Sequence, residues 1–281
     1  MIYFFQSRNL LLVIPVLFVL ASCQIPVELT MPAATKVPAV PEATNKQPTP
    51  AKPIAVGFES SGWEERKKEI TAAGSISGKT NRYTQIKTDQ KVIAITFDDG
   101  PHPKNTPRLL KMLKDRNIKA TFYVVGDMVS SYPDVLKQTA EAGHEIGNHT
   151  VTHATLSRLS TSGLRKELAD AHRQIVEITG IAPRTMRPPG GAIKSSQREY
   201  MMEEFGYPTI LWSVDPEDWK KPGVSLVASR LVKGAAPGGI LLVHDLHSST
   251  VDAMPSALDQ LLAQGYRFVT LTELIAMDES K

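Results

Sequence analysis

The sequence predicts an α/β fold in which about seven parallel strands close into a barrel. Three observations lead there. From Lys91 onward short apolar runs alternate with stretches of helical periodicity, as βα units do. About seven such runs occur and most are followed by a helix, which fits a closed barrel better than an open sheet. The chain of 281 residues shows no internal repeat and is long enough for a full core. Composition agrees, since 42% hydrophobic and 22% charged residues exclude a disordered chain and a polytopic membrane protein.

In order along the chain, residues 1–22 carry one charge, Arg8, and an apolar run over 10–20 broken only by Pro15. At about 11 residues that run is too short to span a membrane and right for the apolar region of a secretory signal. It ends in Leu20-Ala21-Ser22-Cys23, which resembles the bacterial lipobox, where cleavage before the cysteine is coupled to its acylation. Cys23 is the chain's single cysteine, and as an acylated first residue it would hold the protein lastingly on a membrane. The alternative is an ordinary signal peptide. Residues 23–56 follow with seven prolines and no aromatic residue, a composition that cannot form a core and makes a semi-rigid tether. Roughly 30 residues at ~3.1 Å each could reach up to ~90 Å from the membrane. The protein is therefore expected to be exported and lipid-anchored, facing the periplasm or the cell exterior. Residues 57–90 form a lead-in with a short charged helical pattern over 63–73, then Gly74 and Gly78.

Within the domain, expected over residues 91–277, strands are predicted at 92–97, 120–125, 144–147, 185–187, 209–214, 239–243 and 267–271. Most are short apolar runs of the length strands favour. Helices are predicted between them at 106–115, 133–142, 162–179, 195–205, 225–233 and 254–264, where apolar residues recur at helical spacing. In a barrel the chemistry gathers where strands end, which gives a test for any candidate site.

Two exclusions bound that chemistry. One cysteine permits neither an internal disulfide nor a multi-cysteine zinc site, so any metal must be held by His, Asp or Glu. A net charge of +3 lies too near balance for a nucleic-acid binder.

The first strand runs into Asp98-Asp99-Gly100-Pro101, and the third into His149-Thr150-Val151-Thr152-His153. Histidines four apart can offer both imidazoles to one ion from a single helical turn, and His with carboxylate is a typical zinc set that leaves a position open for water. Arg187-Pro188-Pro189-Gly190-Gly191 follows the fourth strand, a loop stiffened by proline and opened by glycine. Asp215-Pro216-Glu217-Asp218-Trp219 follows the fifth, and Leu242-Val243-His244-Asp245-Leu246-His247 spans the end of the sixth. Taken singly, each has a bland reading as a turn, a loop or a core residue. Their convergence on strand ends argues otherwise.

In that order, Thr-Phe-Asp-Asp-Gly-Pro, His-Thr-x-x-His, Arg-Pro-Pro-x-Gly, Asp-x-x-Asp-Trp and Leu-x-His resemble the polysaccharide deacetylase family, the NodB-type domain of carbohydrate esterase family four. The resemblance implies a distorted (β/α) barrel and metal-dependent removal of acetyl groups from acetylated sugars. It implies Asp99, His149 and His153 as ligands of a divalent ion, usually Zn2+, with Asp98 as the catalytic base and Arg187 orienting it. Likewise implied are His244 as the acid protonating the leaving amine, Asp218 as its partner, Gly190 as the oxyanion donor through its N–H, and Trp219 and Leu242 as walls of the acetyl pocket. Gly190 departs from the family, which often has an aromatic residue there, so the backbone donor survives and a substrate-contacting side chain is lost. Asp245 and His247 receive no role, His247 reading as structural or substrate-side, while Glu217, Lys220 and Lys221 read as solvated rim.

The expected function is hydrolysis of N-acetyl groups of N-acetylglucosamine in peptidoglycan or a chitin-like polymer. Two alternatives stand beside it: an O-acetyl esterase on xylan or another acetylated glycan, and a non-catalytic saccharide-binding lipoprotein on the same scaffold.

Overall fold

The computed structural model describes residues 80–279. The signal over 1–22, Cys23, the tether over 23–56 and the helical pattern over 63–73 lie outside the described residues. In chain order the strands are β1 (Arg82–Tyr83), β2 (Val92–Asp98), β3 (Thr121–Val124), β4 (Glu145–Asn148), β5 (Thr209–Ile210), β6 (Gly239–His244) and β7 (Arg267–Phe268). The helices are α1 (Asn105–Asp115), α2 (Gly126–Ser131), α3 (Pro133–Glu141), α4 (Thr161–Thr179), α5 (Ser195–Phe205), α6 (Val224–Gly234), α7 (Ser248–Ala263) and α8 (Leu271–Ala276). Among the described residues no helix is long and apolar enough to cross a membrane.

All strand ladders are parallel, and β2 is their centre. β6 runs along one edge of β2, from Ile93 opposite Gly239 to Asp98 opposite His244. The other edge is shared, with β7 beside Val92 and Ile93 and β3 beside Thr96 to Asp98. β4 pairs with β3, and beyond it the ring continues through single bridges, Asn148 to Met186 and Met186 to Thr209. It returns to β6 at Val214 and Leu241, so the barrel closes, but with frayed joints that distort it.

Several expected elements take a different form. Residues 185–187 supply only the Met186 bridge, because Pro188 and Pro189 have no N–H with which to extend a ladder. The 209–214 strand shrinks to β5, since Leu211 donates to Tyr83 of β1 while Ser213 and Val214 turn to Ile240 of β6. The 267–271 strand stops early because Thr270 and Glu273 form a reciprocal capping box that starts α8. The helix expected from 254 begins instead at Ser248 and carries Pro255 within it. Ahead of the expected domain start at Lys91, β1 and the buried Tyr83 and Ile86 already belong to the folded unit.

Alternation along β2 and β6 separates two cores. Ile93, Ile95 and Phe97, with Leu241 and Val243, pack outward against Leu109 and Leu113 of α1 and Leu258 and Leu261 of α7. Val92, Ala94 and Ile240 face inward, joining Tyr123 and Ile210, and α8 plugs that end of the barrel with Leu271, Leu274 and Ile275. Thr96, Asp98, Leu242 and His244 continue the inward face towards the strand ends, so the barrel interior changes from apolar to polar along its axis. Gly147 of β4 has no substitute in this packing. A Cβ there would overlap the Tyr123 ring, over which the Arg187 guanidinium sits.

Candidate active site

Asp98 is the last residue of β2 and His244 the last of β6, held side by side by the ladder. Asp99 follows immediately in a left-handed conformation, with φ 76°. His149 follows β4 directly, and Arg187 follows the Met186 bridge. The strand ends thus bring the expected residues together.

The two histidines converge by another route than a helical turn. Residues 149–153 form a loop in which Thr150 and His153 have φ values of 70° and 57°, so no helix can run through them. Asn148 supports the bend by accepting the Thr150 N–H at 2.9 Å.

Asp99 Oδ1 lies 3.3 Å from His149 Nε2 and 3.1 Å from His153 Nε2. Nδ1 of His149 lies 2.7 Å from the carbonyl oxygen of Arg187. A carbonyl only accepts, so Nδ1 carries the proton and Nε2 presents a lone pair. That lone pair and the Asp99 oxygen, which is buried and makes no well-aligned hydrogen bond, point at one another. Electron donors so arranged fit a divalent cation, and the ligand atoms of all three residues lie within 4.8 Å of one another. One carboxylate with two imidazoles leaves room for water and substrate on the ion.

Asp98 stands beside this trio, with Oδ2 3.7 Å from His149 Nε2. Its Oδ1 accepts from Nη1 of Arg187 at 2.7 Å, and the same nitrogen lies 2.7 Å from Thr96 Oγ1. Arg187 is fully buried; its Nε and Nη2 donate to the carbonyls of Ile210 and Leu211, and its guanidinium carbon lies 4.3 Å from the centre of the Tyr123 ring. Each nitrogen of this cation thus meets an acceptor, as a buried charge requires.

His244 is held from the other side. Its Nδ1 bonds Asp218 Oδ1 at 2.8 Å, while Asp218 Oδ2 accepts the His244 N–H at 2.9 Å and the Thr250 hydroxyl at 2.8 Å. Burial lowers the imidazole's affinity for a proton, but Asp218, Asp98 and Asp99 more than offset it and raise the pKa to about 9. The ring therefore carries a proton near neutral pH and directs Nε2 away from Asp218.

Gly190 lies in the short 3-10 turn Pro189–Gly191, exposed and left-handed at φ 58°, where an added Cβ would meet nothing. Leu242 is buried two residues before His244 on the same strand face. Trp219 is 52% exposed in the turn Asp218–Lys220, with the Lys220 ammonium 4.8 Å from its ring centre. Glu217 pairs with Lys220 and Arg230 at the surface, in keeping with a solvated rim, and His247 sits half-buried ahead of α7.

Asp245, left without a role by its sequence, is fully buried, accepts from the Thr106 hydroxyl and gives its backbone oxygen to Asn105 Nδ2 at 2.8 Å. Sequence reasoning also missed Thr96, Tyr123 and Thr250. Period-two alternation could have found Thr96, two residues before Asp98; nothing in the sequence ties Thr250 to Asp218.

With this geometry in place, comparison with known proteins gives a consistent result. A family model described as polysaccharide deacetylase matches residues 85–210. A peptidoglycan-N-acetylglucosamine deacetylase of Bacillus cereus is 39% identical over 214 residues, covering 74% of this chain and 97% of that protein. The peptidoglycan-N-acetylglucosamine deacetylase PgdA of Listeria monocytogenes is 38% identical over 220 residues, 75% of this chain, and the match spans 46% of its length. The chain thus covers about half of the Listeria relative. The solved structure of the peptidoglycan deacetylase PdaC from Bacillus subtilis has a TM-score of 0.64 at 37% identity, covering 68% of this chain and 93% of that one.

Proposed function

The chain belongs to the polysaccharide deacetylase family, and from that membership and the geometry of its site we propose that it hydrolyses N-acetyl groups of N-acetylglucosamine in peptidoglycan. The observation that carries the reading is the separation of roles at the strand ends: a trio of donors fit for a cation, an independent carboxylate held by arginine, and a charged histidine held by aspartate. Damage to any of the three would favour the binding-only alternative, and all are intact. The relatives' names support peptidoglycan over chitin-like polymer or xylan.

Asp99, His149 and His153 would hold a divalent ion, which we take to be zinc because the donors are two imidazoles and one carboxylate. When bound, such an ion lowers the pKa of water and polarises a carbonyl. Asp98 takes the proton from the water that attacks the acetyl carbon. Arg187 fixes the orientation of that carboxylate through its Nη1, 2.7 Å from Asp98 Oδ1. The Gly190 N–H faces the developing oxyanion, a donor typically worth ~3 to 4 kcal/mol. His244 passes its proton to the sugar nitrogen as the C–N bond breaks, yielding acetate and a free amine, and Asp218 stabilises the charge it carries beforehand. Trp219, next to Asp218 in the chain, and Leu242, two residues before His244, would bound the acetyl group.

Attachment through Cys23, with the Pro-rich segment as spacer, would bring the site within reach of the cell wall. The test is acetate release by the zinc-loaded protein on peptidoglycan, chitooligosaccharide and acetylated xylan side by side. Release from peptidoglycan supports the reading. Release only from chitooligosaccharide or only from xylan moves the substrate to that polymer, and silence on all three with metal bound revives the binding-only alternative.

A further inference from the structure

Glu167 of α4 reaches the loop that carries both histidines. Its Oε2 accepts the N–H groups of Val151 and Thr152, each at 2.9 Å, and its Oε1 accepts the Thr152 hydroxyl at 2.7 Å. These two residues lie between Thr150 and His153, both left-handed. A non-glycine residue held there is strained and persists only when its surroundings over-determine it. Asn148 and the N–H groups of Gly126 and Asp127 fix the Thr150 side of the loop. On the His153 side, both backbone donors end on one carboxylate.

The two ligands differ in how they are held. His149 is buried and has its second ring nitrogen on the Arg187 carbonyl. The His153 side chain is 47% exposed, and among the described residues its polar contact is with Asp99. Its position therefore depends on the backbone beneath it, and that backbone depends on Glu167.

We propose that Glu167 is a positioning residue that sets the affinity of the site for a divalent ion by fixing the 150–153 loop under His153. The inference rests on the metal-site reading given above. Partners that orient metal ligands without touching the ion are typically worth about 10- to 100-fold in affinity. The charge matters as well as the shape, because a carboxylate accepts from two N–H groups and a hydroxyl at once, whereas an amide turns one end into a donor.

The test titrates Zn2+ into the metal-stripped full-length chain and its Glu167→Ala and Glu167→Gln variants against a competing chelator. The melting temperature of each metal-free form and acetate release at saturating zinc are read alongside. The expected result is a loss of zinc affinity of about 10-fold or more in Glu167→Ala, a smaller loss in Glu167→Gln, and kcat largely restored by saturating zinc in both. If Glu167→Ala fails to fold, Glu167→Gln carries the test alone. Unchanged affinity in a folded variant, with only the metal-free melting temperature lowered, would mean a purely structural role and overturn the proposal. A parent chain that binds no divalent ion would overturn the metal reading itself, and this proposal with it.

Discussion

Arg187 holds His149 by its backbone and Asp98 by its side chain: its carbonyl oxygen lies 2.7 Å from His149 Nδ1, and its Nη1 lies 2.7 Å from Asp98 Oδ1. One residue thereby sets the tautomer of an expected metal ligand and the orientation of the expected base. The two groups must act on the same water, so a common anchor keeps them in register.

Removing that anchor should damage both. Arg187→Met leaves the buried Asp98 without its cation, which typically costs about 3–5 kcal/mol of stability, and releases the base, for which a fall in kcat of about 10²- to 10⁴-fold is expected. Arg187→Lys keeps the charge but cannot reach Asp98, Ile210 and Leu211 together, so it should recover stability more than rate. Thermal melts and kcat on both variants check this; parental values for the two would show that the arginine is dispensable.

The charge on His244 makes a pH prediction. An acid must be protonated to act, and with its pKa raised to about 9 the histidine should lose activity as pH rises through that value. A bound cation moves this limb lower, so comparisons belong at equal metal occupancy. Asp218→Asn removes the carboxylate that hydrogen-bonds the ring against the effect of burial, and the alkaline limb of the kcat profile should shift downward. An unmoved limb would take His244 out of the acid role.

Asp245 makes a stability prediction at lower pH. Burial pushes its carboxyl from 3.8 up to about 7, against the Thr106 hydroxyl that favours the anion. The folded chain then binds this proton more tightly than the unfolded chain, so the stabilisation is complete below pH 3.8 and is lost as pH rises towards 7. Asp245→Asn cannot titrate, and its melting temperature should fall less than the parent's between pH 4 and 7. Parallel curves would locate the pH dependence elsewhere.

Much of the site is legible in the sequence because its residues sit where strands end, and strand ends are marked by apolar runs meeting Gly, Pro and charged residues. The central strand over 92–97 reads directly, and with it Asp98 and Asp99. What the sequence hides are pairings without a local signature. β1 has two residues and is defined only by β5; residues 185–187 look like a strand until Pro188 and Pro189 are counted against the ladder. Asp98 meets Arg187 across 89 positions and Asp218 meets Thr250 across 32, distances over which no periodicity speaks. The helical turn expected for His149 and His153 fails because Thr150 bends the chain to the left-handed region, a conformation that no propensity assigns to threonine.

The single cysteine tests the proposed location. Cys23→Ala should abolish acylation and release the protein from the membrane fraction, as read by labelling with a fatty-acid analogue and by fractionation. Retention of the variant would show that anchoring uses another feature.

The most direct test of the central claim, that a cation-binding trio and a separate base share one water, is metal content measured together with acetate release in Asp98→Asn and His149→Ala. Asp98→Asn should keep one ion per chain and lose about 10²- to 10⁴-fold in rate, whereas His149→Ala should lose both ion and activity. Equal loss of metal in the two variants would contradict the division of roles and put Asp98 among the ligands.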